Sequence, residues 1–283
     1  MKQDKNDYRK KNAFHGEKHA FRQNVAADDA EDAVLNENMT VGRNAVKELL
    51  ASGRDIDKIY TARGDREGSI SVLVAEALQR GIPVLEADRK KLDEMSGGTR
   101  HQGVVAIAAE RDYNTVEEML ELAQSRGEDP FIVILDSIED PHNLGAILRS
   151  AECAGAHGVI IPKRRAAGLT TVVAKASAGA IEHMLIAKCA SLTAAVEDLK
   201  ARGFWIYAAD MGGKPYYETD LCGKAALVLG SEGFGIRKPL KEACDFVVSI
   251  PLYGKVNSMN VSAAAAVLLC EAARQRQGKK NQS

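Results

Sequence analysis

The chain has 283 residues, of which 38 are Lys or Arg and 39 Asp or Glu, giving a formal net charge of -1. That length fits about two domains and, with 45% apolar residues, a sizeable core. A near-neutral total leaves nucleic-acid binding open, because the placement of charge decides it. Five scattered cysteines without a CxxC pair argue against a disulfide framework or a zinc site and fit a reducing compartment. No apolar run suits a membrane span and the start is too polar for a signal peptide, so a soluble cytoplasmic protein without a metal is expected. Residues 1–37 read as a disordered tail. Its first 22 residues hold seven bases against three acids, and 28–37 hold five acids and no base. A solubilising role is the plain reading, with contact to RNA phosphates as the alternative.

Order is expected from Met39. The run VGRNAVKELLASG carries Val41, Ala45, Val46, Leu49 and Leu50 at helical spacing, with Gly53 as its stop. A strand follows in DKIYTA, a helix at 69–79 ended by Gly81, a strand in IPVLEA, a helical turn at 91–95 and an apolar strand at 104–109. This alternation predicts a small α/β domain over 38–110. Residues 111–129 read as a linker with a helix, Thr115 near its cap and acids in its first turn. The third part, 130–283, alternates again: strands at 131–135, 158–161, HMLIAK, FWIYAAD, ALVLG and DFVVSIPL. Helices are expected at 144–154, 171–177, 189–202 and 258–276. Strands bounded by helices predict a mostly parallel sheet covered on both faces, with a ligand site beyond the carboxyl ends of its strands.

Three polar segments sit at such strand ends. In DPHNLGAILRSAECAG, Asn143 and Arg149 are six apart, close to two turns, which would bring them to roughly one side of a helix. Asn143 also suits a helix cap, and Arg149 either a salt bridge or a partly buried fork for phosphate. In LVLGSEGFG, Gly230, Gly233 and Gly235 allow a tight turn and close approach to a ligand, while Glu232 would repel a pyrophosphate. The segment fits neither the P-loop nor the dinucleotide fingerprint. In SIPLYGKVNSMNVSAAAA, Ser258 suits a helix cap, and the backbones of Ile250, Leu252 and Met259 a wall for a flat ring. Basic clusters at Arg63 and Arg66, at Arg89 to Lys91, at Arg100 with His101, and at Lys163, Arg164 and Arg165 suit RNA phosphates or a solvated face.

In order and spacing, these segments resemble motifs 1, 2 and 3 of the SpoU, or TrmH-like, branch of the SPOUT RNA methyltransferases. Within it the similarity is greatest to the bacterial enzymes that methylate a guanosine ribose in 23S ribosomal RNA. The resemblance covers 130–276, and 40–109 resembles the branch's small L30e-like substrate-binding domain. It implies a SPOUT catalytic domain with a C-terminal trefoil knot, a homodimer formed through the knot region, and S-adenosylmethionine as methyl donor. Carried over by position, it implies catalytic roles for Asn143, Arg149, Glu232, Ser258 and Asn260 and a donor pocket of Leu229, Gly230, Ile250, Leu252 and Met259. The implied reaction is methyl transfer to a ribose 2′-hydroxyl, with Arg149 serving the substrate phosphate. The alternatives are a tRNA ribose methyltransferase and a non-catalytic RNA-binding assembly factor.

Overall fold

The computed structural model describes residues 38–64, 68–109, 111–256 and 258–280, so the tail and Arg66 lie outside the described residues. The first layer is a four-stranded sheet of β1 (Met39–Val41), β2 (Ile56–Ala62), β3 (Val84–Ala87) and β4 (Val104–Ala108), ordered β1-β4-β2-β3. Strand β4 runs antiparallel to both neighbours, and β2 and β3 are parallel. Helices α1 (Arg43–Ala51) and α2 (Ser69–Gln79) cover one face, with Val46, Leu49, Leu50, Leu73 and Ala77 packed on Ile59, Val104 and Ala106. Helix α3 (Arg89–Met95) closes the other through Leu92, and starts where Asp88 accepts the Lys91 amide. Strand β1 has no counterpart in the sequence reading. Three residues are too few to show a period of two, and β1 exists through its pairing with β4, Met39 opposite Ile107.

Helix α4 (Val116–Ser125) begins with Thr115 as cap, as expected, and the structure adds a capping box with Glu118. It buries Met119 in the core of the second sheet, so the expected linker joins that layer. The second sheet is wholly parallel and six-stranded. Its members are β5 (Phe131–Asp136), β6 (Gly158–Pro162), β7 (Ile186–Cys189), β8 (Trp205–Pro215), β9 (Ala225–Gly230) and β10 (Phe246–Ser249), ordered β10-β8-β9-β5-β6-β7. All six residues of β5, FIVILD, are buried, as a strand covered on both faces requires. Helices α5 (Pro141–Cys153), α6 (Thr171–Ala176) and α9 (Val261–Lys280) take one face, and α4, α7 (Leu192–Ala201) and α8 (Lys238–Ala243) the other. Gly145 lets α5 lie close on α6, since a Cβ there would stand 2.4 Å from that of Ala176.

The chain builds outward from β5 through β6 to β7, then returns to the other side of β5 with β9 and β8. The order reverses between β5 and β9, where Asp136 stands opposite Gly230. The loops leaving these two strands diverge there and open a crevice. Several boundaries differ from expectation. Helix α5 starts at Pro141, because Asp140 rather than Asn143 caps it by accepting the His142 amide. Helix α7 starts at Leu192 with Ser191 as cap, and α9 at Val261, three residues later than expected. Strand β8 runs to Pro215, five residues beyond the expected end.

Candidate active site

Two cavities meet at the carboxyl ends of β5 and β9. The first, about 590 Å³, lies between the turn after β5 and the turn after β9, and includes Ser137, Asp140, Asn143, Arg165, Glu232 and Arg237. The second, about 340 Å³, lies between the β9 turn, the segment after β10 and the start of α9. Leu229, Gly230, Ile250, Leu252 and Met259 all line it, as do Glu232 and Ser258. The turn 231–235 and Val261 belong to both.

At their junction three side chains from three separate segments form one hydrogen-bonded cluster. Glu232 Oε1 accepts Asn143 Nδ2 at 3.2 Å, the Val261 amide at 3.3 Å, and Asn260 Nδ2. Asn260 Nδ2 also reaches Asn143 Oδ1 at 3.0 Å. Asn260 Oδ1 faces the other way and accepts the Ser262 amide at 3.0 Å and the Ala263 amide at 3.3 Å. Asn260 therefore caps α9 in place of the expected Ser258, and the cap fixes its amide orientation. Glu232 Oε1 is thus committed to the scaffold, and Oε2 makes no bond among the described residues. A carboxylate held this way presents one oriented acceptor to whatever enters either cavity.

Gly230 makes the turn possible. A Cβ there would stand 2.1 Å from the Gly235 carbonyl carbon, inside the turn closed by the Gly235 amide on the Ser231 carbonyl at 2.9 Å. Beneath the first cavity the fully buried Asp136 accepts the Arg237 amide at 2.9 Å and its Nε at 2.8 Å. This ion pair ties the turn after β9 to the end of β5. Sequence reasoning passed over both residues, although an acid ending an apolar strand is a readable signal. It also passed over Phe234, which is 95% exposed at the tip of the turn and borders both cavities.

Arg149 stands elsewhere. It is exposed, lines neither cavity and makes no hydrogen bond or ion pair among the described residues. Six residues at about 100° each carry it about 240° round the axis from Asn143, so the two do not share a side. The guanidinium is accordingly not partly buried, and the alternative salt bridge is absent among the described residues. Of the basic candidates, Arg165 lines the first cavity with a left-handed φ of 60°. Lys163, Arg164 and Arg63 are exposed outside it, and Arg100 belongs to a separate pocket of the small sheet.

Against known proteins, the family model of the SpoU rRNA Methylase family matches residues 130–270, which span this site. A second, described as RNA 2′-O ribose methyltransferase substrate binding, matches 40–114. A chain assigned to the TrmH family of tRNA/rRNA methyltransferases, YacO of Bacillus subtilis (strain 168), is 44% identical over 237 residues, covering 83% of this chain and 95% of the relative. The chain belongs to the SpoU/TrmH family of RNA methyltransferases. A Staphylococcus saprophyticus relative in the same family is 40% identical over 245 residues, or 86% and 97% of the two chains. Among solved structures, an RNA 2′-O ribose methyltransferase superposes with a TM-score of 0.70 at 26% identity, covering 84% of this chain and 88% of that one. The S-adenosylmethionine-bound rRNA methyltransferase of Sinorhizobium meliloti gives 0.69 at 26% identity, covering 83% and 86%. The first family model spans both cavities and the second the small sheet, so the family's two parts coincide with the two layers of the fold.

Proposed function

We propose that this family member transfers a methyl group from S-adenosylmethionine to the ribose 2′-hydroxyl of a guanosine in 23S ribosomal RNA. The observation that carries the reading is the Asn143–Glu232–Asn260 cluster at the junction of two cavities. The second cavity suits the donor. Leu229, Ile250, Leu252, Met259 and Leu268 supply apolar walls, and Gly230 lets the turn beside them close without a clash. When bound, S-adenosylmethionine supplies an electrophilic methyl group whose departure from sulfur removes the positive charge.

The chain's own residues do the rest. Positioning is the main contribution, because holding two reactants aligned supplies up to about 7–11 kcal/mol of a bimolecular barrier. Glu232 Oε2 accepts a hydrogen bond at the cavity junction, and Asn143 and Asn260 hold its partner oxygen still. Ser258, on the rim of the donor cavity, helps to shape its floor. Arg165 and Arg237 make the first cavity favourable for a phosphate. The new bond joins the hydroxyl oxygen to the methyl carbon, the sulfur–carbon bond breaks, and the hydroxyl proton leaves to the adjacent RNA phosphate. Arg149, which stays protonated, is a poor base and a good partner for that phosphate. Its exposed place on α5 fits a homodimer formed through the knot region, in which α5 and α9 meet a second copy and substrate is read across both.

The C-terminal part of the catalytic domain is a trefoil knot, supported by β10 lying beyond β8 at the sheet edge while α9 returns to α5. The domain at 38–110 is L30e-like, supported by the span of the substrate-binding family model. The test is a map of ribose 2′-O-methyl groups in 23S rRNA and tRNA from cells with and without the protein. One guanosine of 23S rRNA should lose its methyl group. A loss confined to tRNA would make the enzyme a tRNA ribose methyltransferase. Unchanged RNA, together with no binding of S-adenosylmethionine in titration, would make it a non-catalytic RNA binder.

A further inference from the structure

The turn that carries Glu232 also carries an aromatic ring without a partner. Phe234 is 95% exposed and borders both cavities. The other exposed aromatic side chains among the described residues have one: Trp205 meets Phe246 at 5.5 Å, Tyr217 meets Tyr216 at 5.2 Å, and Tyr253 interacts with Tyr217. Phe234 has no ring contact among the described residues. A single exposed apolar side chain is ordinary on a protein surface. Phe234 is set apart by its place and its support. The Gly235 amide closes the turn on the Ser231 carbonyl at 2.9 Å, and Gly230 lies against the Gly235 backbone. Beyond the turn, Arg237 is tied to the buried Asp136 through its amide at 2.9 Å and its Nε at 2.8 Å. Both sequence neighbours of Phe234 are glycines, so neither has a side chain to cover the ring.

Phe234 and Glu232 are two residues apart, so their Cα atoms stand at most about 7 Å from each other. A ribose carries its base and its 2′-hydroxyl on adjacent carbons, a separation of the same scale. Arg165 and Arg237 line the same first cavity, whose volume of about 590 Å³ suits a small ligand. The three parts of a nucleotide therefore find three chemically matched neighbours there. The guanidiniums suit the phosphate, Glu232 Oε2 the 2′-hydroxyl, and the Phe234 ring the flat face of the base. Stacking on an aromatic side chain is how proteins commonly hold an RNA base that has left its own stack. An aromatic side chain has only two torsions, so it loses little freedom when it engages.

We infer that Phe234 is the base-stacking residue of the active site, holding the nucleobase of the methylated nucleotide so that its ribose lies over the Asn143–Glu232–Asn260 cluster. The inference rests on the proposed methyl transfer and adds what grips the base. It also defines the substrate further: the target nucleotide is engaged unstacked, in a single-stranded or extruded state.

The test uses the full chain as wild type, Phe234→Leu, which keeps apolar bulk but has no π-face, and Phe234→Trp, which keeps that face. With the ring so exposed, both variants should melt like the wild type. Single-turnover methyl transfer at saturating 23S rRNA transcript should fall by about 5–150-fold in Phe234→Leu, the scale of one lost base stack, and recover in Phe234→Trp. Indole emission of Phe234→Trp, corrected with the wild type for the native Trp205, gives a readout that needs no methyl transfer. Guanosine 5′-monophosphate should quench it, and ribose 5-phosphate, which has no base, should not. Equal effects of the two compounds, or no effect of either, would overturn the inference. So would an unchanged transfer rate in Phe234→Leu, or a loss matched by weaker S-adenosylmethionine binding, which would make the ring a wall of the donor cavity. Altered sedimentation of Phe234→Leu with transfer intact would assign the ring to contact between copies of the chain and sink the stacking role. Quenching by guanosine 5′-monophosphate without methyl transfer to any RNA would count against the proposed function and leave the stacking site standing.

Discussion

Glu232 divides its labour between its two oxygens, and that division can be tested at a single atom. Replacing it with Gln keeps an oxygen for the three donors from Asn143, Asn260 and Val261 but puts an amide nitrogen where Oε2 stood. We expect Glu232→Gln to melt like the wild type and to bind S-adenosylmethionine normally, with kcat lower by about a hundredfold or more, the scale of lost acid–base or charge assistance. Single-turnover transfer at saturating RNA measures this, and an unchanged rate would remove Glu232 from the chemistry. His157 tests a different property, the dependence of stability on pH. Its ring is 1% exposed, Nδ1 accepts the Phe131 amide at 2.9 Å, and Nε2 meets Glu128 at 3.0 Å. Burial holds its pKa below the ordinary 6.5, outweighing the hydrogen bond to Glu128 that favours the charged form. The unfolded chain therefore takes up the proton first as pH falls. The stability that His157 contributes is complete above about pH 6.5 and declines from there down through the folded pKa. Melting temperatures at pH 7.5 and 5.5 should fall more steeply for the wild type than for His157→Gln. Parallel curves would contradict the burial argument.

At the scale of elements, the turn between β9 and α8 shows how a glycine can be structural or incidental. A Cβ on Gly230 would collide with the Gly235 backbone, whereas one on Gly233 meets nothing within 4 Å. Gly230→Ala should cost about 1–3 kcal/mol, the usual range for overpacking, and weaken S-adenosylmethionine binding. Gly233→Ala should fall within about 0.5 kcal/mol of the wild type. Denaturant titration of the pair measures both, and equal losses would refute the distinction. Element existence was largely legible, because flanking glycines and apolar periodicity are local signals. Helix α2 was read with its observed bounds, Ser69 to Gln79, between Gly68 and Gly81. Starts were read less well where two residues compete for one cap. Asp140 displaced Asn143 because Pro141 fits the first helical position, and Asn260 displaced Ser258 because its Oδ1 reaches two amides of α9. The cluster itself was legible only as types of residue at strand ends. Its assembly depends on Asp136 standing opposite Gly230, a pairing across 94 positions that no local pattern encodes. The placing of Arg149 beside Asn143 failed for a simpler reason, the rotation of an α-helix over six residues.

On the scale of the whole molecule, the proposed function needs the two sheets held in register, since an RNA gripped by one is to be modified by the other. The joint is ionic. Glu182, in the short helical turn before β7, has a side chain only 2% exposed and pairs with Arg54 at 3.5 Å and with Arg111. Arg54 follows α1 of the small sheet, and Arg111 lies in the connection between the sheets. Burial lowers the Arg54 pKa and the charge of Glu182 acts against that; both guanidiniums pair with this one carboxylate. Nearby, His183 meets Glu48 of α1 at 2.9 Å, and Thr171 Oγ1 donates to the Met39 carbonyl at 3.0 Å. Removing one member of a buried ionic group strands the others and typically costs about 3–5 kcal/mol. In Glu182→Ala the cost falls on the joint and not on either core, because Glu182 belongs to neither hydrophobic cluster. The expected result is a melting curve that separates into two transitions, with S-adenosylmethionine still protecting the upper one, and RNA affinity reduced although every proposed RNA contact is intact. Glu182→Gln, which keeps hydrogen bonds to the arginines but not the charge, should fall between the two. A single transition at the wild-type temperature for Glu182→Ala would mean that apolar packing of α6 against β1 sets the register, and the ionic joint would be dispensable.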